Sequence, residues 1–384
     1  MDLYYRDRFG RRQGDSDGED KRTPIWLTII DIVAAIISLV VIVALIVIFA
    51  GQFVSPEKLW YFSLAALAAP LFYITAVAMM LYWIIRWKWI MAVTLAIFVA
   101  GGLVYVPLYY RVNLSKTYED AKPNRNNIKV LTFNLRHLHQ DNWQPSIDSV
   151  AVLVEQLNPD IICFQEYPAS GELRQQADSI MRGYNASSAQ SIIERSDCAV
   201  ECFSHYDIIS ADSIGGIQGS GVGMWADVKI DSDTVRVYCI HLQTTSVSPT
   251  DNNYITKREF ISDTTREKRF RDMARGLLDN NKIRAQQADC IARSTNECSH
   301  PIILCGDFND VPMSYTYRTI SRGLYDTFSR KGHHYAHSYR GMFNMLRIDY
   351  IMVSPRFETV AYDIPATNIS DHRPVTATLR LTQN

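Results

Sequence analysis

Six apolar, strand-like segments of this chain each end in an acid, an amide or an imidazole. The most informative one runs from an apolar strand through Gly306 to a carboxylate, Asp307, and a carboxamide, Asn309. Acids and amides after glycine are ordinary turn residues, so this segment alone is a weak signal. The other five segments contain Asn134, Glu166, His241, Asp349, and Asp371 with His372. Such side chains delivered together from strand ends predict a metal-assisted site for a phosphate ester.

Hydrolysis of a phosphodiester requires a cation that offsets charge on the phosphoryl oxygens, a base for water, and donors that stabilise the transition state. Carboxylate and amide oxygens are ligands that Mg²⁺ prefers in proteins. We therefore predict a Mg²⁺ site, with Mn²⁺ as the alternative ion. Its candidate ligands are Glu166 as first choice, Asn134 and Asp371, and Asp307 supplies a further oxygen.

Two histidines are candidates for proton transfer and phosphate binding. A neutral imidazole held by a carboxylate can take a proton from water near neutral pH, which makes His372 with Asp349 a candidate pair. His241 and Asn309 are candidate donors to the phosphate. A lone histidine at a strand end is more often structural, so the hypothesis depends on the occurrence of all these residues in one domain.

The elements that must position these residues alternate between strands and helices. Residues 128–133 are mostly β-branched or aromatic, as strands are, and the helical spacing after Ile147 ends at Asn158-Pro159. Residues 222–230 and 234–241 predict a hairpin, and residues 265–294 predict a long helix or a helix pair broken at Asn280-Asn281. Hairpins among helices predict mixed sheets, in a two-sheet α/β sandwich covered by helices.

The N-terminal third has a different composition. Three apolar spans, residues 25–51, 59–85 and 89–110, are each long enough to cross a bilayer, which needs about 20 residues of helix. Aromatic residues cluster near their ends, and basic residues are concentrated in the N-terminal tail and after the second span. These patterns predict an integral protein of the bacterial inner membrane, with a cytoplasmic N-terminus and a periplasmic catalytic domain. The predicted division is 1–24 disordered tail, 25–111 three transmembrane helices, 112–127 linker and 128–384 catalytic domain.

Charge and cysteine content limit the alternatives. The net charge is −1, and the part after the apolar spans contains slightly more acidic than basic residues, which weighs against a nucleic-acid binder without excluding one. The cysteines lack zinc-site spacing. Cys198 with Cys202, and Cys290 with Cys298, are pairs that could form disulfides in an oxidising compartment.

Gly-Asp-Phe-Asn at 306–309 and Ser-Asp-His-x-Pro-Val at 370–375, with the other strand-end residues in this order, resemble the endonuclease/exonuclease/phosphatase superfamily. The resemblance spans about residues 128–382. It implies a four-layered α/β sandwich and Mg²⁺-dependent attack of water on phosphorus. It also implies that Glu166, with Asn134 and Asp371 nearby, binds metal and that Asp307 positions the nucleophile or assists the leaving group. His372 would pair with Asp349, and either Asp307 or His372 would take the proton.

The chain departs from this superfamily in residues 198–208. Many members have a lysine or arginine and a proline there, and this chain has His205 and Asp207 in their places. Loops that read DNA have no recognisable counterpart, so the substrate stays open. We expect a membrane-anchored phosphoesterase that acts on a phospholipid headgroup, a nucleic acid or a small phosphoester, and no protein partner is indicated. The alternatives are a nuclease and a non-catalytic membrane-tethered binding module. The loop 332–347, which includes Tyr339, is predicted to face the substrate.

Overall fold

The computed structural model describes residues 24–59, 61–112, 127–139, 146–183, 187–188, 192–193, 198–214, 222–244 and 265–382. The predicted N-terminal tail, apart from Pro24, and most of the predicted linker therefore lie outside the described residues.

The apolar third forms a helical bundle. Its helices are α1 (Ile25–Gly51), α2 (Tyr61–Leu67), α3 (Ala69–Ile85) and α4 (Trp89–Gly102), and a 3₁₀ turn, Leu103–Leu108, extends α4. Two helices, Ile25–Gly51 and Trp89–Leu108, are long and apolar enough to cross a membrane. Residues 59–85 were wrongly predicted as one continuous span. Pro70 lies in the first turn of α3, and because proline lacks an N–H and clashes with the preceding turn, α2 ends before it.

Contacts at its two ends define the direction of this bundle. Near the start of α1, Asp31 accepts hydrogen bonds from Arg86 Nε and Nη2, at 2.9 and 2.8 Å, just after α3. At the opposite end, Arg318 of the α/β domain stacks on Phe53, with its guanidinium carbon 3.9 Å from the ring centroid. Tyr109, after α4, donates to Pro312 O at 2.6 Å. The α/β domain is therefore docked on the end of the bundle remote from Asp31.

Among the described residues, the remaining α-helices are α5 (Ile147–Leu157), α6 (Gly171–Gly183), α7 (Arg266–Glu297), α8 (Tyr315–Ile320) and α9 (Thr327–Lys331). The first strands are β1 (Tyr110–Arg111), β2 (Asn127–Asn134), β3 (Ile161–Pro168), β4 (Ser187–Ser188), β5 (Ile192–Ile193), β6 (Cys198–Ser204), β7 (Asp207–Ser213), β8 (Val222–Ile230) and β9 (Asp233–His241). The others are β10 (Ile302–Asp307), β11 (Tyr325–Asp326), β12 (His334–Tyr335), β13 (Asp349–Val353), β14 (Phe357–Asp363) and β15 (Val375–Leu381). The predicted hairpin is β8–β9, and α7 runs through Asn280-Asn281 without the predicted break.

Two sheets face each other in the α/β domain. One has the order β14-β15-β2-β3-β6-β4 with β5 beside β6, and the other has the order β11-β13-β10-β9-β8-β7. The β2–β3 and β9–β10 pairs are parallel, whereas β8–β9 and β10–β13 are antiparallel, which confirms the mixed sheets.

Apolar side chains from both sheets, such as Val130 and Val237, form the core between them. Residues of α5 and α6 pack on the outer face of the first sheet, and residues of α7 and α8 pack on that of the second. The predicted four-layered sandwich is confirmed. None of the seven cysteines is part of a disulfide, so neither candidate disulfide is formed.

Candidate active site

Neighbouring strand ends bring the candidate residues to one edge of the sandwich. In the parallel β9–β10 pair, Asp307 lies opposite His241, and in the antiparallel β10–β13 pair it lies opposite Asp349. Gly306 makes this approach possible. It has φ +147°, and a Cβ at this position would lie 1.9 Å from Ile240 O, a distance that no side chain tolerates.

Asp349 and His372 form a buried pair. His372 Nδ1 is 2.9 Å from Asp349 Oδ2 and 3.2 Å from Oδ1. The backbone N–H groups of Ile348 and Asp349 both donate to Ser338 Oγ at 3.0 Å, which fixes the start of β13. Burial lowers the pKa of His372, but the negative charges of Asp349 and Asp307 outweigh it and raise the pKa well above its usual value.

Asp307 lies at the centre of the group. Its Oδ1 accepts from Asn309 N at 2.8 Å, and its Oδ2 accepts from Asn134 Nδ2 at 3.1 Å. His241 Nε2 and His372 Nε2 each lie 3.7 Å from Oδ2. Burial and repulsion from Asp349 raise the pKa of Asp307 to about 6, although both histidines act in the opposite direction.

Glu166 reaches the site from a bulge within β3, not from the end of the strand as predicted. The register shifts between Phe164 and Tyr167, and Glu166 has a left-handed φ of +52°. Asn134 Nδ2 donates to Glu166 Oε1 at 3.3 Å, and His241 Nε2 is 3.9 Å from the same oxygen. Because the bulge re-aims one side chain, the glutamate faces Asn134.

The remaining predicted residues lie around this group. Asn309 Nδ2 donates to Leu242 O at 3.2 Å, which fixes the amide beside the end of β9. Asp371 Oδ2 is 3.7 Å from Arg136 Nε, and the side chain is partly exposed. Ser370 Oγ donates to Asn134 O at 2.8 Å and so joins the segment that contains Asp371 and His372 to the end of β2.

Sequence reasoning missed several residues of this site. His137 Nε2 lies 3.3 Å from Glu166 Oε2, and Arg136 pairs with Asp371. Both follow Asn134 closely in sequence, in a left-handed turn with φ values of +48° and +52°, and that proximity was the available signal. The ring of Tyr339 lies 5.0 Å from the His372 ring, so part of the loop predicted to face the substrate does contact the candidate site.

Two groups of side chains could bind a divalent cation. Ligand atoms of Asp307, Asp349 and His372 lie within 4.8 Å of one another. However, His372 Nδ1 is already engaged by Asp349, so this trio suits proton transfer better. Glu166, Asn134 and Asp307 are joined through the Asn134 amide and offer oxygen atoms, which hard cations prefer. Burial, and then the negative charge of Asp349, raise the pKa of Asp307, and a nearby cation would favour its carboxylate form, so the donor set fits a divalent metal ion.

Two models of known protein families match parts of this chain. The family model described as the Endonuclease/Exonuclease/phosphatase family matches residues 131–372, and a model described as a domain of unknown function matches residues 31–105. No curated protein matches the chain.

Two of the solved structures similar to this chain come from Bacteroides species. An endonuclease/exonuclease/phosphatase from Bacteroides vulgatus has 17% identity and a TM-score of 0.49, and the match covers 66% of this chain and 99% of that chain. A mannosyl-6-phosphatase from Bacteroides thetaiotaomicron has 16% identity and a TM-score of 0.48, with coverage of 66% and 99%.

Members of the matched family generally use divalent metal ions. The matched residues make up more than half of the chain, and they include every candidate site residue from Asn134 to His372. The chain therefore belongs to the endonuclease/exonuclease/phosphatase family and is a hydrolase that acts on phosphoester bonds.

Proposed function

We propose that this protein is a membrane-anchored, Mg²⁺-dependent phosphoesterase whose site is built from Asn134, Glu166, His241, Asp307, Asn309, Asp349, Asp371 and His372. The observation that supports it most is the position of Asp307, which accepts from Asn134 and Asn309 and lies 3.7 Å from both histidines. A water molecule and a phosphate at this point would meet a base, donors and metal ligands together.

We assign the metal site to Glu166 and Asn134, with Asp307 and Asp371 as further oxygen donors. Mg²⁺ bound there, with Mn²⁺ as the alternative, supplies positive charge that offsets the charge on the phosphoryl oxygens. Asn134 Oδ1 accepts from Arg136 N at 3.0 Å while its Nδ2 faces Glu166, so ligation by Asn134 requires the amide to turn over.

Side chains of the protein accept the proton of the attacking water and bind the phosphate. The water oxygen forms a bond to phosphorus, its proton passes to Asp307 Oδ2, and the ester P–O bond breaks, with the leaving oxygen protonated by solvent. Asp349 stabilises the imidazolium form of His372, whose Nε2 donates to a phosphoryl oxygen. His241 and Asn309 bind the phosphate. This is acid–base and electrostatic catalysis at a buried site, where each fixed donor has a large effect.

The helical bundle supports anchoring in a membrane. Only 28% and 17% of the apolar windows of its two longest helices are buried within the protein, so most of their side chains face outward, as lipid-facing residues do. The chain runs between the two ends of the bundle three times, the second time as the interrupted α2–α3. With the positive-inside rule applied to the Asp31 end, this path supports a periplasmic catalytic domain in the bacterial inner membrane. A reporter fused after Tyr110 that is active only in the cytoplasm would contradict this orientation.

The substrate class is a phosphoester at or near the bilayer, for which the docking of the domain on the bundle is the support. The test uses the full chain in lipid nanodiscs, with bis-p-nitrophenyl phosphate, plasmid DNA and phospholipid vesicles as alternative substrates, each with Mg²⁺ or with EDTA. Mg²⁺-dependent hydrolysis of at least one substrate is the expected result. Cleavage of DNA alone would favour the nuclease alternative.

His372→Asn is the diagnostic variant, because asparagine keeps an N–H near the position of Nδ1 and removes Nε2. His205→Asn is its matched control, since His205 lies exposed in the turn between β6 and β7. Loss of hydrolysis in His372→Asn with retention in His205→Asn supports the proposal. Equal activity in both variants, or no hydrolysis of any substrate by the folded wild type, would reject it.

A further inference from the structure

A cavity of about 250 Å³ lies where the helical bundle meets the catalytic domain. Its walls come from both parts. Ile48 of α1, Ile74 of α3 and Tyr105 after α4 line one side, and Met313 and Tyr335 of the catalytic domain line the other. Met313 lies in the loop that follows the Asp307–Asn309 segment, so this loop forms part of the cavity wall.

Four of the five tyrosines that line this cavity have hydroxyls that are hydrogen-bonded to other groups of the protein. Tyr73 donates to Val99 O at 2.7 Å, and Tyr105 accepts from Gln52 Nε2 at 2.7 Å. Tyr109 donates to Pro312 O at 2.6 Å, and Tyr335 donates to Met345 O at 2.5 Å. An ordered water needs two to four polar partners, and these hydroxyls are already bonded. The lining thus favours an apolar occupant.

The cavity is continuous with the outer apolar surface of the bundle. Ile74 lines it and is 67% exposed. Other apolar side chains of the same bundle surface, such as Leu71, Ile97 and Val104, are also more than half exposed. An occupant would therefore enter from the surface that faces lipid in an anchored protein.

We propose that this cavity binds an alkyl chain of a membrane lipid. The proposal rests on the membrane anchoring proposed above, but not on the phosphoesterase activity. A cavity of about 150 Å³ in another protein binds benzene, with six carbons; by the same proportion this one accommodates about ten carbons of one chain. A bilayer supplies such chains at the mouth of the cavity.

A second, smaller cavity of about 70 Å³ shares Pro70, Tyr109 and Tyr335 with the first and is also lined by Leu346. Leu346 O accepts from Tyr339 N at 3.0 Å, and the Tyr339 ring contacts His372. The wall that the two cavities share is thus linked to the candidate active site through Leu346 and Tyr339.

The test is photo-cross-linking of the full chain in nanodiscs that contain a phospholipid with a diazirine near the end of one acyl chain. We expect label on Met313 and Tyr335, which belong to the catalytic domain, in addition to label on lipid-facing residues. Ala69→Phe places a ring in the cavity and should lower the label on both residues at least fivefold. Ala100→Phe, the same change at an exposed bundle position outside the lining, should leave it unchanged.

The wild-type label by itself can overturn the proposal, whether or not Ala69→Phe folds. Label confined to lipid-facing residues, or equal label in the Ala69→Phe and Ala100→Phe proteins, would reject a chain in the cavity. Hydrolysis of bis-p-nitrophenyl phosphate is measured in the same samples. Hydrolysis without label on Met313 and Tyr335 rejects this proposal and leaves the phosphoesterase proposal intact. Label on both residues without hydrolysis supports this proposal and rejects the phosphoesterase proposal.

Discussion

Two buried ion pairs lie close together in this protein, and one is enclosed by protein whereas the other faces the candidate active site. Arg347 pairs with Asp326, and two residues later Asp349 pairs with His372, with closest distances of 2.7 and 2.9 Å. Both pairs are almost fully removed from solvent, so both incur the cost of burying charge. Their surroundings differ.

The Arg347 pair is enclosed by protein. Arg347 Nη2 donates to Asp326 Oδ2 and to Leu108 O, and Tyr317 OH donates to the same Asp326 oxygen at 2.7 Å. The guanidinium carbon lies 4.7 and 4.6 Å from the ring centroids of Phe328 and Tyr350. This pair joins the end of the bundle to β13 and α9.

In the Asp349–His372 pair, the outer nitrogen of the imidazole, Nε2, points toward the candidate active site. His372 Nδ1 faces Asp349, whereas Nε2 faces Asp307 at 3.7 Å, a contact too long for a hydrogen bond. The comparison indicates that a buried pair with every face packed is structural, whereas one whose outer nitrogen faces a second carboxylate is suited to catalysis.

Breaking the Asp349–His372 pair should have the largest effect of the changes considered, and this effect should be a loss of activity. We expect His372→Asn to lower kcat by about 10²–10³-fold, the usual cost of removing one donor that stabilises the transition state. The temperature of unfolding should change little, because the amide still donates to Asp349. The measurements are steady-state hydrolysis and thermal unfolding of the same preparation. A large loss of stability with kcat retained would reverse the roles of the two pairs.

Breaking the first pair should act on stability. Arg347→Met leaves Asp326 buried without its cation, which should lower the free energy of unfolding by about 3–5 kcal/mol. The double variant Arg347→Met/Asp326→Asn removes the stranded charge and should recover part of the loss. Denaturant unfolding measures both, and kcat per folded molecule should remain near that of the wild type. No recovery in the double variant would show that packing, not charge, explains the loss.

Metal binding should give the smallest of the three effects, a rise in the unfolding temperature. This rise also tests whether the Asp349–His372 pair takes part in metal binding. A ligand at one hundred times its Kd stabilises the folded state by about 2.7 kcal/mol. We expect Mg²⁺ to raise the unfolding temperature of the wild type and of His372→Asn, EDTA to reverse it, and Glu166→Gln to abolish most of the shift. Loss of the shift in His372→Asn instead would place the metal at the Asp307–Asp349–His372 trio.

Much of the candidate site could be predicted because each of its residues lies in a short segment with a recognisable pattern, an apolar strand followed by a polar side chain. Gly306, Asp307 and Asn309 lie within four residues, and an apolar strand that ends in a turn predicts where its side chains go. The mixed sheets followed from hairpin signals near β8 and β9. Roles of individual residues stay predictions until variants are measured.

What could not be predicted depends on contacts between distant segments. Asn280 and Asn281 read as a helix break, yet in α7 Asn280 accepts from Gln243 Nε2 at 3.0 Å and Asn281 accepts from Arg284. The Gln243 bond, a tertiary contact, and the Arg284 bond, within α7, offset the low helix propensity of asparagine. The bulge that aims Glu166, with its positive φ, likewise depends on pairing with β6, which lies more than thirty residues away in sequence.

The pairing of β1 with β12 has a consequence for how the enzyme meets its substrate. Tyr110 and Arg111 pair with Tyr335 and His334 directly after the bundle, and Ala336 N donates to Tyr109 O at 3.0 Å. With the catalytic domain bonded to the bundle in this way, the proposed membrane anchoring would hold the active site at a set height above the bilayer instead of on a flexible tether. The search for substrate then becomes two-dimensional. A phosphoester carried at the wrong depth would escape cleavage whatever its chemistry.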